Sequence, residues 1–457
     1  MRKSLMVLIL AAGFALAAAT PPDGGRAGVH RLANGLPVIL LENHANPLTA
    51  TFFVVKTGLR AENAGNCGLS HMLEHLLFNG TERFDQKQLY AELDFLGVYH
   101  NAFTRDDYTC YVMLSERDLF PRALDLQAQM LFHSTLPPDK VEKERGIILE
   151  ELAKDSASPD FALERAAAEA VFAGTPYALP ILGTPATLRD ISRDALLAYY
   201  REQYVPNNMT LLVVGDFAPA EMLRHLEARL GKYPARPLPE GPRPVDLFTD
   251  PSVKVLPVES PAGRLLLTFP APSPADPAWP AHELARRRLA DDRTSPLAAL
   301  LKAEGLGEYT LSALDNRDYS LCQLAVEVPA GRKLTPGQVA TLREKIAALR
   351  TDFTDADLAG ALTRLEAEEV FGQENIHYFG MLKGGLLADL PADQAAGFVG
   401  PRLVERFRSV TAAGVRAQAE RILHPGKLRV AILEAAAAAS PARPAPPAGM
   451  PRAMGGK

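Results

Sequence analysis

His71-Met72-Leu73-Glu74-His75, taken with Glu151 further along, is the stretch on which the reading of this chain turns. Two histidines four apart on a helix project from one face, one turn apart, so both imidazoles reach a single ion. Glu74 lies beside that pair. A catalytic zinc takes three protein ligands of the His/His/Glu type and leaves a fourth position for water, so a third ligand must come from elsewhere. The stretch Val141-Glu142-Lys143-Glu144-Arg145-Gly146-Ile147-Ile148-Leu149-Glu150-Glu151-Leu152 has helical spacing and several carboxylates. Glu144 and Glu151 share a helix face there, whereas Glu150 is rotated away by about 100°. Glu151 is therefore read as the third ligand and Glu144 as the carboxylate behind the ligands.

Hydrolysis of an amide asks for this set: one zinc ion per chain to activate water, and Glu74, off the metal, to carry the proton to the leaving amine. The competing reading is an amphipathic helix whose Met72, Leu73, Leu76 and Leu77 pack in a core and whose histidines are merely polar. In a chain with only ten histidines, the H-x-x-E-H spacing favours the metal.

With these residues in view, the sequence resembles the inverzincin metallopeptidases, the family of pitrilysin, insulysin and the mitochondrial processing peptidases. The likeness extends to Thr57-Gly58-Leu59-Arg60-Ala61-Glu62, Gly68-Leu69-Ser70, Phe78-Asn79-Gly80-Thr81-Glu82-Arg83-Phe84 and Asn101-Ala102-Phe103-Thr104. It continues through Pro206-Asn207-Asn208-Met209 and Leu211-Leu212-Val213-Val214-Gly215-Asp216, covers most of residues 28–435, and is most specific in the first half.

A chain of 457 residues with 47% hydrophobic content exceeds what one core usually supports, so two or more domains are expected. The formal net charge of -5, with both signs interspersed, offers no basic stripe for nucleic acid. Arg2 and Lys3 precede an apolar run from Leu5 to Leu16, and Ala17-Ala18-Ala19 follows, the pattern of a signal peptide spanning residues 1–19. The run is shorter than the roughly 20 residues of a spanning helix, so the expectation is export to the periplasm or medium without a stable membrane span. Three cysteines cannot build a disulfide framework, although export would permit one bond, between Cys67 and Cys110.

Leu32-Ala33-Asn34-Gly35-Leu36 reads as a turn between strands, and 38–41, 51–55 and 110–114 are strand-like. Helices are expected at about 69–79, 86–96, 116–133, 139–154, 160–172 and 193–203. This mixture without regular βαβ repetition is α+β. Prolines at 234, 237, 239, 242, 244 and 251 mark a stiff linker over 233–252, between a zinc-bearing domain (20–232) and a second domain (253–434). The segment 421–433 echoes 203–214, each a helix end, a proline turn and a strand, so the halves are read as homologous α/β rolls. An Ala/Pro-rich tail follows from 435.

The resemblance implies a mixed sheet with helices on one face, half of a clamshell enclosing a chamber. It also implies that a peptide or unfolded polypeptide is added as a strand along Asn101, Ala102, Phe103 and Thr104. In the family an Arg and a Tyr seven residues apart reach over the cleft from the second half. Here Lys302 and Tyr309 stand in those places, and lysine lacks the planar fork of arginine. This points to a related partner subunit that carries the Arg/Tyr pair, or to a homodimer. Two other readings stay open: a structural or assembly subunit with the same fold, and an amidase acting on a small substrate.

Overall fold

The computed structural model describes residues 27–436, apart from 292, 375, 377–379, 381–382 and 400–401. The expected signal peptide and most of the tail lie outside the described residues.

Strands β1 (Gly28–Arg31), β2 (Pro37–Glu42), β3 (Leu48–Val55), β4 (Tyr99–Thr104), β5 (Thr109–Glu116) and β6 (Met209–Gly215) form one sheet in the order β1-β2-β6-β3-β5-β4. Only β2 and β6 run parallel; the other neighbours are antiparallel. The Asn34-Gly35 turn joins β1 to β2, with Gly35 at a φ of 87° that suits glycine. The nearly continuous burial along β2, β3 and β6 is that of strands covered on both faces. Alternate residues divide accordingly. Leu36, Val38, Leu40, Phe53, Val55, Tyr111, Leu211 and Val213 face one core, and Ile39, Leu41, Phe52, Val54, Val112, Leu212 and Val214 face another.

The first of those cores is closed by the unit's own helices. These are α1 (Leu69–Leu76), α3 (Phe120–Phe132), α4 (Pro138–Ser156), α5 (Pro159–Phe172), α6 (Pro185–Asp190), α7 (Arg193–Gln203) and α8 (Pro219–Leu230), with α2 (Gln86–Phe95) packed on α3 in a smaller cluster beside them. Of these, α5 turns away to serve the other half.

The second sheet runs β7-β11-β8-β10-β9, from β7 (Val253–Glu259), β8 (Gly263–Pro270), β9 (Tyr309–Asp315), β10 (Ser320–Val328) and β11 (Arg429–Ala436). Strand for strand it repeats β2-β6-β3-β5-β4, with the single parallel pair in the same place. Its helices are α9 (Trp279–Ala290), α10 (Pro296–Ala303), α11 (Pro336–Ala347), α12 (Asp355–Glu374), α13 (Gly384–Asp389), α14 (Ala392–Ala395), α15 (Arg402–Phe407) and α16 (Ala412–Leu423). Ala435 and Ala436, read from sequence as the start of the tail, instead complete β11 opposite Val258 and Glu259.

Each sheet carries its own helices on one face and borrows cover for the other. Leu387, Ala388, Ala392 and Ala395 of α13 and α14 pack on the back of the first sheet. In return Leu163 and Ala170 of α5 pack against Val258, Leu266, Ala431 and Leu433 of the second. Buried Arg429 fastens the exchange by donating to the carbonyls of Ala170 (2.6 Å) and Leu247 (2.5 Å). Between Tyr233, stacked on Phe132, and buried Leu247, residues 234–246 are exposed and form no helix or strand.

Candidate metal centre

Helix α1 is placed before any ligand is considered. Gly68 enters it at a φ of 96°, and a Cβ there would sit 2.9 Å from the Cα of Gly183, so glycine is required. The buried Glu62 carboxylate accepts the backbone N–H groups of Gly68 (2.8 Å) and Ser70 (2.6 Å), two of the orphan donors at the helix start. Burial pushes the Glu62 carboxyl up to about 7, against those hydrogen bonds. Met72, Leu73 and Leu76 are fully buried, as the competing core reading requires, but the histidines point elsewhere. Helix α4 is held across from α1 by Arg145, which donates to the carbonyls of Leu188 and Ile191.

Between these helices His71, His75 and Glu151 converge, with their donor atoms within 4.8 Å of one another. Glu151 Oε2 lies 3.9 Å from the Nε2 atoms of both His71 and His75. Ligand atoms about 2.0–2.2 Å from a tetrahedral zinc stand about 3.4 Å apart, so the set fits the ion with small side-chain adjustments. Glu144 Oε2 meets His75 Nδ1 at 3.2 Å, which directs Nε2 of that ring toward the shared space. Nδ1 of His71 is buried and has no hydrogen-bond partner.

The electrostatics suit cation binding. Burial pushes His71 down to about 3, aided by neighbouring His75, which keeps its imidazole neutral and its lone pair available. Burial also acts to lower His75, but the Glu144 hydrogen bond and the carboxylates of Glu74, Glu144 and Glu151 carry it above its ordinary value. The His75 contact in turn overcomes burial to hold Glu144 low.

Glu74 stands off the ligand set. Thr104 at the end of β4 donates its hydroxyl to Glu74 Oε2 at 2.6 Å, and both side chains are buried. Burial raises the Glu74 carboxyl, and the Thr104 hydrogen bond opposes it. Sequence reasoning placed Thr104 among substrate contacts and missed this role. Alternation along β4 puts His100, Ala102 and Thr104 on one face, which was the available signal. A second feature was also missed. Asn79 donates to the His75 carbonyl (2.8 Å) and accepts from Gln86 (2.7 Å), which accepts from Lys140 (2.8 Å), bracing the end of α1.

Strand β4 pairs only with β5 and forms the free edge of its sheet, with Asn101 exposed and Ala102 and Phe103 half-buried. Lys302 and Tyr309 belong to the second unit. Lys302 is exposed on α10, and Tyr309 donates its hydroxyl to the Leu289 carbonyl at 2.6 Å. Cys67, Cys110 and Cys322 are all buried free thiols, so the disulfide allowed between Cys67 and Cys110 is not formed. The reason is placement: Cys110 faces the back core of the sheet, and Cys67 sits in the loop before α1 against Thr187. No helix among the described residues is long and apolar enough to cross a membrane.

The doubled α+β chain, with an H-x-x-E-H helix set against a glutamate-bearing helix, has a zinc-protease-like fold and a side-chain cluster that could hold a metal ion. The family model described as insulinase (peptidase family M16) matches residues 38–185, and that of the peptidase M16 inactive domain matches residues 190–365. The chain belongs to peptidase family M16.

Among its relatives, the uncharacterized zinc protease YmxG of Bacillus subtilis is 30% identical over 203 residues, 44% of this chain and 49% of that protein. The probable mitochondrial-processing peptidase subunit beta of Schizosaccharomyces pombe is 33% identical over 202 residues, 44% of each chain. The chain thus spans about half the length of the curated relatives it matches. A protease from Helicobacter pylori superposes with a TM-score of 0.75 at 18% identity, covering 90% of this chain and all of that one. The periplasmic protease PqqL of Escherichia coli gives 0.69 at 18% identity, with 90% of this chain matching 47% of that chain. At these identities the superpositions speak for the fold.

Proposed function

We propose that the chain is a zinc-dependent endopeptidase that hydrolyses peptides or unfolded polypeptide segments. The observation that carries this reading is the convergence of His71, His75 and Glu151 with Glu74 held apart from them. His71, His75 and Glu151 would hold the ion, one per chain. When bound, zinc lowers the pKa of water toward about 7 and polarises a carbonyl.

The remaining work falls to the protein's own groups. Thr104 ties down Oε2 of Glu74, leaving Oε1 to take a proton from water and pass it to the leaving nitrogen. Burial raises the Glu74 carboxyl above its ordinary value, which favours its accepting that proton. Glu144 holds the His75 ring in position. The free edge of β4, through Asn101 to Thr104, takes the substrate as an added strand, satisfying its backbone whatever its side chains. Because Thr104 closes that strand, the edge delivers the scissile bond beside Glu74 and the ligand set.

The chain works as a zinc-bearing subunit with a related partner, or a second copy, across an enclosed chamber. Three observations support this: Lys302 in place of an arginine, the Tyr309 hydroxyl given to Leu289, and the match to about half of the PqqL chain. Export to the periplasm is part of the same reading, on the N-terminal sequence pattern.

The test is Glu74→Gln, assayed with a quenched fluorescent peptide and by zinc analysis. Loss of turnover with full zinc content supports the peptidase. Unchanged turnover, or no cleavage by the native chain with or without a related partner, favours the assembly-subunit reading.

A further inference from the structure

The two halves differ most tellingly in how they fill the layer between sheet and helices. One offset relates Ser192 to Thr411, the N-caps of α7 and α16, and also relates Pro206 to Pro425 and Leu211 to Val430. Leu211 pairs with Phe53 and Phe53 with Tyr111, while Val430 pairs with Leu267 and Leu267 with Leu324. Phe53, Tyr111 and Tyr204 therefore correspond to Leu267, Leu324 and Leu423, and Tyr200 corresponds to Ala419.

In the first half these aromatics close the layer. The Tyr111 and Tyr204 hydroxyls meet at 2.8 Å, and the Tyr200 and Tyr204 rings lie 5.4 Å apart. In the second half the replacements leave a cavity of about 290 Å³, with Leu267, Leu324 and Leu423 in its wall beside Leu297 and Leu311. Its exit lies between α11 and the end of α16, at exposed Arg343, Glu344 and His424. Among the described residues the Arg343 guanidinium has no hydrogen bond or ion pair.

We infer that this cavity is a binding site for a single fatty acyl chain with a carboxylate head. At about 30 Å³ per water-sized group the space takes roughly ten methylenes, near the lower end of small-molecule sites. The walls offer the chain only apolar side chains, and the two groups able to carry positive charge, Arg343 and His424, stand where its head emerges. Adjacent Glu344 disfavours a doubly charged phosphate and leaves a singly charged carboxylate as the matching head.

The full chain, stripped of bound lipid, is titrated calorimetrically with sodium decanoate and, separately, with 1-decanol. Saturable one-to-one binding of decanoate is expected. Arg343→Ala should weaken decanoate about tenfold, the value of one charge-assisted contact, and leave decanol unchanged. Leu423→Tyr, which restores the residue of the first half, should abolish both while zinc content stays intact. No saturable decanoate binding to the native chain overturns the site, as does undiminished binding to folded Leu423→Tyr. Equal effects of Arg343→Ala on acid and alcohol overturn the assigned head group.

Discussion

Thr104→Val removes one hydroxyl and keeps the shape of the side chain, so it isolates the contact that sets Glu74 apart from a merely buried carboxylate. The hydrogen bond is 2.6 Å long, within the range of O–H···O⁻ contacts, and both partners are at least 92% buried. A hydrogen bond to a charged group contributes about 1.5–3 kcal/mol. If that energy holds Glu74 in place for proton transfer, kcat falls about ten- to a hundredfold. The Thr104 hydroxyl bonds to Glu74 and to none of His71, His75 or Glu151, so zinc affinity should stay within about twofold. The assay is cleavage of a quenched fluorescent peptide under single-turnover conditions, alongside chelator competition for zinc. Retention of native kcat by a fully zinc-loaded Thr104→Val protein would refute the role given to the threonine. Loss of zinc in parallel with activity would place Thr104 in metal retention instead.

Glu144→Gln should weaken zinc about ten- to a hundredfold in chelator competition, because His75 loses the carboxylate that orients its ring. Asp389, half-buried at the end of α13 with its buried Oδ1 unpartnered, is pushed up to about 8 by burial, aided by Asp107. Folded protein keeps that proton where the unfolded chain, with its carboxyl near the ordinary 3.8, has lost it. Stability therefore falls as pH rises between those values, by at most about 1.4 kcal/mol per pH unit. In urea titrations Asp389→Asn should show a stability gain that grows toward pH 8; a gain independent of pH would contradict this. Peptides N-methylated at alternate backbone amides should lose cleavage in one register and keep it in the other, as strand addition to β4 demands. Equal cleavage of both series would exclude the edge as the binding surface.

The convergence of His71, His75 and Glu151 and the repeat were legible in sequence because each rests on local spacing. His71, Glu74 and His75 share one helix, Glu144 and Glu151 another, and β6 and β11 each follow a helix end and a proline turn. Helix α8 was overlooked although Met222, Leu226 and Leu230 recur every four residues. The exchange of α5 and α13 between halves was not legible, since periodicity reports that a face is buried and not which sheet buries it. The Thr104 contact to Glu74 and the distance between Cys67 and Cys110 depend on how β4, β5 and α1 pack, which no short-range pattern encodes. The cavity emerges only when the strand registers of the two halves are compared.

The most direct test of the account is X-ray absorption at the zinc edge on the purified chain, native and Glu151→Gln. The account predicts one zinc per native chain, bound by two imidazole nitrogens and one carboxylate with no sulfur, and a changed oxygen shell or lost metal in the variant. Sulfur coordination, a native spectrum in Glu151→Gln, or a native chain that takes up no zinc would contradict it.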